Sequence, residues 1–151
     1  VIPLQPKWIH RGWEQALLVA TWSKDPNRQV GCVLVDRNKR FHIGYNGPPN
    51  RVSDRWVHKQ PRDHKNAFTI HAEVNAVLNA RNTDLNGATA FVTRFPCCTC
   101  LTVMLQVGIG FLVAPGVDLD HPRWGDQWRM AKLLLSQAGV HHLAAQELCR
   151  E

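Results

Sequence analysis

No run in this chain approaches the roughly 18 consecutive apolar residues of a membrane-crossing helix, and none is flanked as such a span would be. That excludes an ordinary helical membrane protein. The opening Val1-Ile2-Pro3-Leu4-Gln5-Pro6-Lys7 has neither the basic n-region nor the long apolar h-region of a secretory leader. No repeat and no low-complexity tract interrupts the sequence, which excludes solenoids and compositionally disordered segments. Evenly paired cysteines are lacking too. The five are Cys32, Cys97, Cys98, Cys100 and Cys149, an odd number with three clustered, which is no disulfide framework. A reducing, cytoplasmic setting follows, with thiolates free to bind metal.

What remains is a chain of 151 residues, 44% hydrophobic and 20% charged, read as a single domain over residues 1–151 with one sizeable core. Its formal net charge of +6 favours an anionic ligand, a nucleotide phosphate or a nucleic acid, although a solvated basic surface would carry the same charge. The six tryptophans (Trp8, Trp13, Trp22, Trp56, Trp124 and Trp128) are expected mostly in the core or a subunit interface. Base stacking is the lesser alternative.

Periodicity orders the chain. Trp8–Trp22 carries apolar residues at spacings of three and four and predicts a helix, broken by Asp25-Pro26-Asn27. The run 30–35 predicts a strand buried on both faces, and Asp36–Lys39 a hairpin turn into a second strand over 40–45. Residues 44–50 read as a loop by composition, which continues through the aperiodic residues 51–68 and walls a site. A helix over 70–81, capped by Thr69, is followed by a strand over 88–93, a helix over 97–107 and a strand over 111–114. The polar loop 115–124 leads to a helix over 127–138 closed by Gly139, and then a fifth strand over 140–143. Strands three and four, joined by a helix, should be parallel, and strands one and two antiparallel. The fold class is therefore α/β, one mixed five-stranded sheet in three layers.

Two stretches carry chemistry: His71-Ala72-Glu73 and Pro96-Cys97-Cys98-Thr99-Cys100. One His and two Cys can hold zinc and leave a position open for water, whose pKa falls toward about 7. Cys97 and Cys100, three apart at a helix start, put both sulfurs on one side, where the helix dipole favours thiolates. Pro96 suits the start of that helix because it has no N–H to satisfy. His71 opens the other helix, so two helix starts would face each other across a crevice at the carboxyl ends of neighbouring strands. Glu73 lies close enough to move protons at the water. A structural zinc would instead need a fourth protein ligand, for which His10, His42, His58, His64, His121 and Cys98 are available. Cys98 lies about 100° round the helix from Cys97 and should point away. Cys32 reads as a core residue and Cys149 as an incidental tail residue.

The H-x-E and P-C-x-x-C pair resembles the signature of zinc nucleobase deaminases. Further motifs narrow the resemblance. Ser23-Lys24-Asp25-Pro26, Gly44-Tyr45-Asn46-Gly47-Pro48-Pro49 with Val52-Ser53-Asp54, His71-Ala72-Glu73-Val74-Asn75-Ala76 and Phe95-Pro96-Cys97 follow one another as in deoxycytidylate (dCMP) deaminases. Arg123-Trp124-Gly125-Asp126 and Gln137-Ala138-Gly139-Val140 resemble the C-terminal part of bacterial and phage members. The resemblance covers residues 8–143. It implies the cytidine-deaminase fold, a Zn²⁺ cofactor on His71, Cys97 and Cys100, and hydrolysis of dCMP to dUMP and ammonia. In that chemistry hydroxide attacks C4 while Glu73 shuttles protons as base and then acid. Another cytosine nucleotide, or single-stranded nucleic acid, is the alternative substrate.

By the same resemblance Asn46, Arg28, Ser53, Asp54, Ala72, Arg123 and Trp124 would lie near the substrate. Asn46 could instead be a left-handed turn residue, Arg28 an exposed turn residue, and Arg123 with Trp124 a subunit contact. The resemblance also implies a homo-oligomer, commonly a hexamer, with dCTP and dTTP as effectors and no membrane or nucleic-acid partner. Family members with an extra zinc carry it before the H-x-E motif. Between Asn46 and His71 this chain has His58 and His64 but no Cys, so no such second site is expected.

Overall fold

The computed structural model describes residues 4–150, with backbone only for Cys149 and Arg150. The readings made for Val1–Pro3 and for Cys149 therefore lie outside the described residues. In chain order the elements are α1 (Pro6–Ala20), β1 (Gly31–Val35), β2 (Phe41–Tyr45), α2 (Asp54–His58), α3 (Arg62–Phe68), α4 (Ala72–Ala80), β3 (Thr89–Val92), α5 (Cys98–Gln106), β4 (Phe111–Ala114), α6 (Gly125–Ala138) and β5 (His141–Ala144). A 3₁₀ helix, Ala145–Arg150, follows. Among the described residues no helix is long and apolar enough to cross a membrane.

The five strands form one mixed sheet in the order β2-β1-β3-β4-β5. β1 is antiparallel to both β2 and β3, while β3, β4 and β5 run parallel. Alternation along the strands builds the layers, because successive side chains leave a strand on opposite faces. Cys32, Leu34, Ala90, Val92, Leu112 and Ala114 pack with α4, α5 and α6. Val33, Val35, Phe91, Phe111 and Val113 pack with α1. The result is an α/β/α sandwich, as the periodicity predicts.

The structure departs from the sequence reading at three places. Residues 51–68 are not one loop: α2 and α3 occupy most of them, in pieces of five and seven residues. Helices that short complete too few turns for a 3.6-residue pattern to be visible. Thr69 does not cap α4. It ends α3, where its hydroxyl donates to the Lys65 carbonyl at 2.7 Å, and His71 is the residue that precedes α4. The strands leading to the two motif helices are not neighbours, since β1 lies between β2 and β3. None of the six tryptophans is fully buried. Trp13 and Trp128 flank the core, whereas Trp22 and Trp56 are exposed.

α4 lies unusually close to β2. A Cβ on Gly44 would stand 2.3 Å from the Ala76 amide nitrogen and 2.5 Å from the Ala72 carbonyl oxygen. Ala72, Ala76 and Ala80, spaced four apart, give the helix a small buried face that permits this approach. Asn75 and Asn79 donate to the Tyr45 and Ile43 carbonyls, each at 2.8 Å, and hold the helix in register along the edge strand. Gly44→Ala should lower the melting temperature by roughly 2–12 °C, the consequence of about 1–3 kcal/mol of overpacking. Gly47→Ala, whose added Cβ meets nothing within 4 Å, should leave it within about 2 °C in thermal scans.

Candidate active site

The site forms where β1 begins and β2 and β3 end. Gly47 and Ile70 exchange backbone hydrogen bonds of 3.1 and 2.8 Å, fixing the residue before His71 against the loop that leaves β2. α4 then starts at Ala72 and α5 at Cys98, with His71 and Cys97 as the residues just before each helix. The Cys97 sulfur accepts from the Cys100 amide at 3.4 Å, so the thiolate satisfies one of the free N–H groups of the helix start.

These two helix starts bring three metal-ligating atoms together. The His71 Nδ1 is 3.2 Å from the Cys100 Sγ and 3.7 Å from the Cys97 Sγ, and all three lie within 4.8 Å of one another. Tetrahedral zinc with ordinary Zn–S and Zn–N bonds needs N···S separations of about 3.5 Å. The donor set and its spacing fit zinc. Cys98 turns away, as expected, with its sulfur 3.7 Å from the Gln127 carbonyl. His10, His42, His58, His64 and His121 are not part of the cluster. Cys32 is fully buried on β1.

Electrostatics tie the cluster to the carboxyl group beside it. A hydrogen bond from the Cys100 thiol, reinforced by His71 and the Cys100 amide and opposed by partial burial, holds Cys97 at about 4. The Cys100 thiol is pushed up because it keeps its proton to donate hydrogen bonds toward Cys97 and Glu73, is buried, and faces the negative charge of both. The Cys97 hydrogen bond raises His71. Glu73 is only 4% exposed, and burial raises its carboxyl above the usual range despite the hydrogen bond from Cys100 and the neighbouring His71. A buried carboxyl group raised above the usual range, next to a three-ligand metal set, is suited to acid–base work on a metal-activated water.

The other expected contacts fall into two groups. Ala72 is buried at the first turn of α4, beside His71 and Glu73. Asn46 is 7% exposed, and its amide accepts from the Val30 N–H and donates to the Arg28 carbonyl, both at 2.8 Å. It holds the Arg28–Val30 backbone, and the left-handed turn alternative is wrong because its φ is not positive. Arg28 is exposed and electrostatically coupled to His71. Ser53 caps α2, accepting from the Trp56 amide at 3.3 Å, and Asp54 pairs with Lys24 at 3.7 Å. Arg123 and Trp124 pair with each other, the guanidinium 5.1 Å from the ring centroid.

A cavity of about 220 Å³ adjoins the Cys97 loop, lined among others by Arg94, Phe95, Asp118, His121 and Trp128. The sequence points to Arg123 and Trp124 as residues near the substrate, neither of which lines this cavity, and passes over Arg94, whose only signal is its position just before Phe95-Pro96-Cys97.

The cytidine and deoxycytidylate deaminase zinc-binding region matches residues 6–114. The chain belongs to that family. It is 39% identical to human deoxycytidylate deaminase over 140 residues, which cover 89% of this chain and 77% of the human protein. An uncharacterized deaminase from the luxG 3′ region of Aliivibrio fischeri is 41% identical over 135 residues, covering 89% and 90% of the two chains. The fold is that of the dCMP deaminase of cyanophage S-TIM5, solved with dCMP and dUMP: the TM-score is 0.72 at 23% identity, over 93% of this chain and 99% of that one. As a family member the chain is a zinc-dependent deaminase, with zinc as its cofactor and the His71, Cys97 and Cys100 cluster in its zinc-binding region.

Cys97→Ser and Cys100→Ser should each lower bound zinc from about one per chain to near zero in elemental analysis. Cys98→Ser should leave the metal content unchanged.

Proposed function

We propose that this chain hydrolyses dCMP to dUMP and ammonia in the cytoplasm, supplying dUMP for thymidylate synthesis. The observation that carries the reading is the buried Glu73 carboxyl group two residues from His71, hydrogen-bonded to the Cys100 side of a three-ligand cluster. The similarity to proteins named deoxycytidylate deaminases supports the choice of nucleotide. His71, Cys97 and Cys100 are the zinc ligands of this proposal. Zinc held there supplies a Lewis acid and lowers the pKa of a water in the open position.

Glu73 does the proton work. Its carboxylate takes a proton from the attacking water and delivers it to N3 of the cytosine ring as C4 becomes tetrahedral. The carboxylate then takes the proton of the new C4 hydroxyl and passes it to the departing 4-amino nitrogen, so that ammonia leaves as the C4 carbonyl forms. Burial suits both tasks, because it lifts the carboxyl toward the pH at which it can accept and return a proton. Ala72 packs the base of the pocket, and Asn46 holds the backbone that carries Arg28 toward the nucleotide. In this reading Ser53 and Asp54 shape the pocket wall through α2, and Arg123 and Trp124 stiffen the loop that closes it. Control by dCTP and dTTP, and assembly of copies into a hexamer, belong to the same proposal.

A second reading, deamination of single-stranded nucleic acid, draws on one surface feature. Trp56, 50% exposed, stacks on Phe68 at 5.5 Å among the exposed Arg55, Lys59 and Arg62. Conversion of a cytosine-containing oligonucleotide faster than dCMP would favour it.

Glu73→Gln should keep zinc and fold but lose about 10²–10⁴-fold in dCMP turnover, followed by the ultraviolet change from cytosine to uracil. Turnover at the wild-type rate with zinc bound would overturn the proton-shuttle assignment.

A further inference from the structure

The start of β1 and the end of β3 are tied beyond the regular ladder. The Thr93 amide donates to the Gly31 carbonyl at 3.0 Å, and the Gly31 amide donates to the Thr93 hydroxyl at 3.0 Å. With Cys32 opposite Val92, this extra pair sets the residues before Gly31 against those after Thr93. Arg28, before β1, and Arg94, after β3, therefore emerge at the same end of the sheet, the end at which the zinc cluster lies. Arg28 is held there from two sides, since Asp25 accepts its amide at 3.1 Å and Asn46 binds its carbonyl at 2.8 Å. Asp25 is in turn fixed by Lys65 at 3.3 Å.

Neither guanidinium has a carboxylate within ion-pair distance among the described residues. Two like charges just beyond the ends of adjacent strands, with no ion-paired carboxylate among the described residues, form an arrangement that a doubly charged anion relieves. Burial and the Arg28 charge both disfavour the charged state of Arg94, while the Glu73 carboxylate favours it, so Arg94 senses both the other arginine and the reacting end of the site. Arg94 also lines the cavity of about 220 Å³ beside the Cys97 loop. His121 lines it too. Its Nδ1 accepts the Arg123 and Trp124 amides at 3.1 Å, which leaves the proton on Nε2 as a further donor. Asp118, the acidic group in the lining, is exposed, and its carboxylate accepts the Asp120 amide at 3.0 Å.

We infer that Arg94 joins Arg28 as a second cationic contact for the 5′-phosphate of the nucleotide, and so selects a nucleoside monophosphate over the free nucleoside. The inference rests on the dCMP reading and adds to it a specificity-determining residue outside the zinc motif. Arg94 binds the phosphate dianion with a planar fork of N–H donors, a geometry lysine cannot reproduce. It takes no part in the proton transfers.

Steady-state kinetics of zinc-loaded wild type, Arg94→Gln and Arg94→Lys on dCMP and deoxycytidine test it. Arg94→Gln should raise the KM for dCMP about 10- to 100-fold, with kcat within about threefold of wild type. The ratio of kcat/KM for dCMP to that for deoxycytidine should fall by a similar factor. Arg94→Lys should recover part of the loss, and inorganic phosphate should compete with dCMP on the wild type more strongly than on Arg94→Gln. An equal fall in kcat on both substrates with KM unchanged would overturn the inference, placing Arg94 behind Glu73 instead. So would kinetics identical to wild type. If Arg94→Gln fails to fold, Arg94→Lys and the phosphate competition on wild type carry the test, and no competition overturns it. Wild-type protein that converts no dCMP overturns the substrate reading itself, and this inference with it.

Discussion

Close contact between α4 and β2 is the constraint on which the site depends. Gly44 offers no Cβ, and Ala72, Ala76 and Ala80 offer the smallest side chains that still favour a helix. The helix can therefore lie almost against the strand's backbone. Asn75 and Asn79 anchor it to β2 carbonyls, and the Gly47–Ile70 bridge fixes the backbone just ahead of it. His71 and Glu73 stand at the end of this rigid assembly. A helix pushed outward by even one methyl group would carry the imidazole away from the two thiols, whose own position is set by β3 and α5.

The same closeness explains the electrostatics. A carboxyl group on an exposed helix end would remain an ordinary acid. Here Glu73 follows a fully buried alanine and is itself buried over the sheet, where Cys32 lies beneath it. Desolvation lifts its carboxyl, and the Cys100 thiol and His71 pull it back. Cys97 meets the opposite fate at the more open side of the cluster, where hydrogen bonds and the helix start hold it as a thiolate. Opposite shifts in neighbouring groups leave an ionised thiol at the cluster and, beside it, a carboxyl group held above its usual range.

Much of this was legible in the residues. Strand order along the chain, the antiparallel β1–β2 and parallel β3–β4 pairings, the metal-ligand spacing and the outward turn of Cys98 follow from periodicity and from helix geometry. What the sequence hid was mostly short or cooperative. α2 and α3 are too brief for a periodic signal. The insertion of β1 between β2 and β3 is a property of pairing, which no local pattern encodes. The engagement of the Asn46 amide with the backbone of Val30 and Arg28 exists only once β1 and β2 are paired. Arg94 stood beside a strong motif and was unremarked, because its meaning comes from an arginine 66 positions earlier in a segment that the Gly31–Thr93 pair brings alongside.

A catalytic zinc at this cluster requires three protein ligands with one position left for water, since a fourth protein ligand would make the zinc structural. Zinc K-edge X-ray absorption of the metal-loaded protein measures this directly. Two sulfur scatterers, with one imidazole and one further light scatterer that changes when a substrate analogue is added, are the predicted result. A third sulfur, or a second imidazole in place of the exchangeable ligand, would contradict the account.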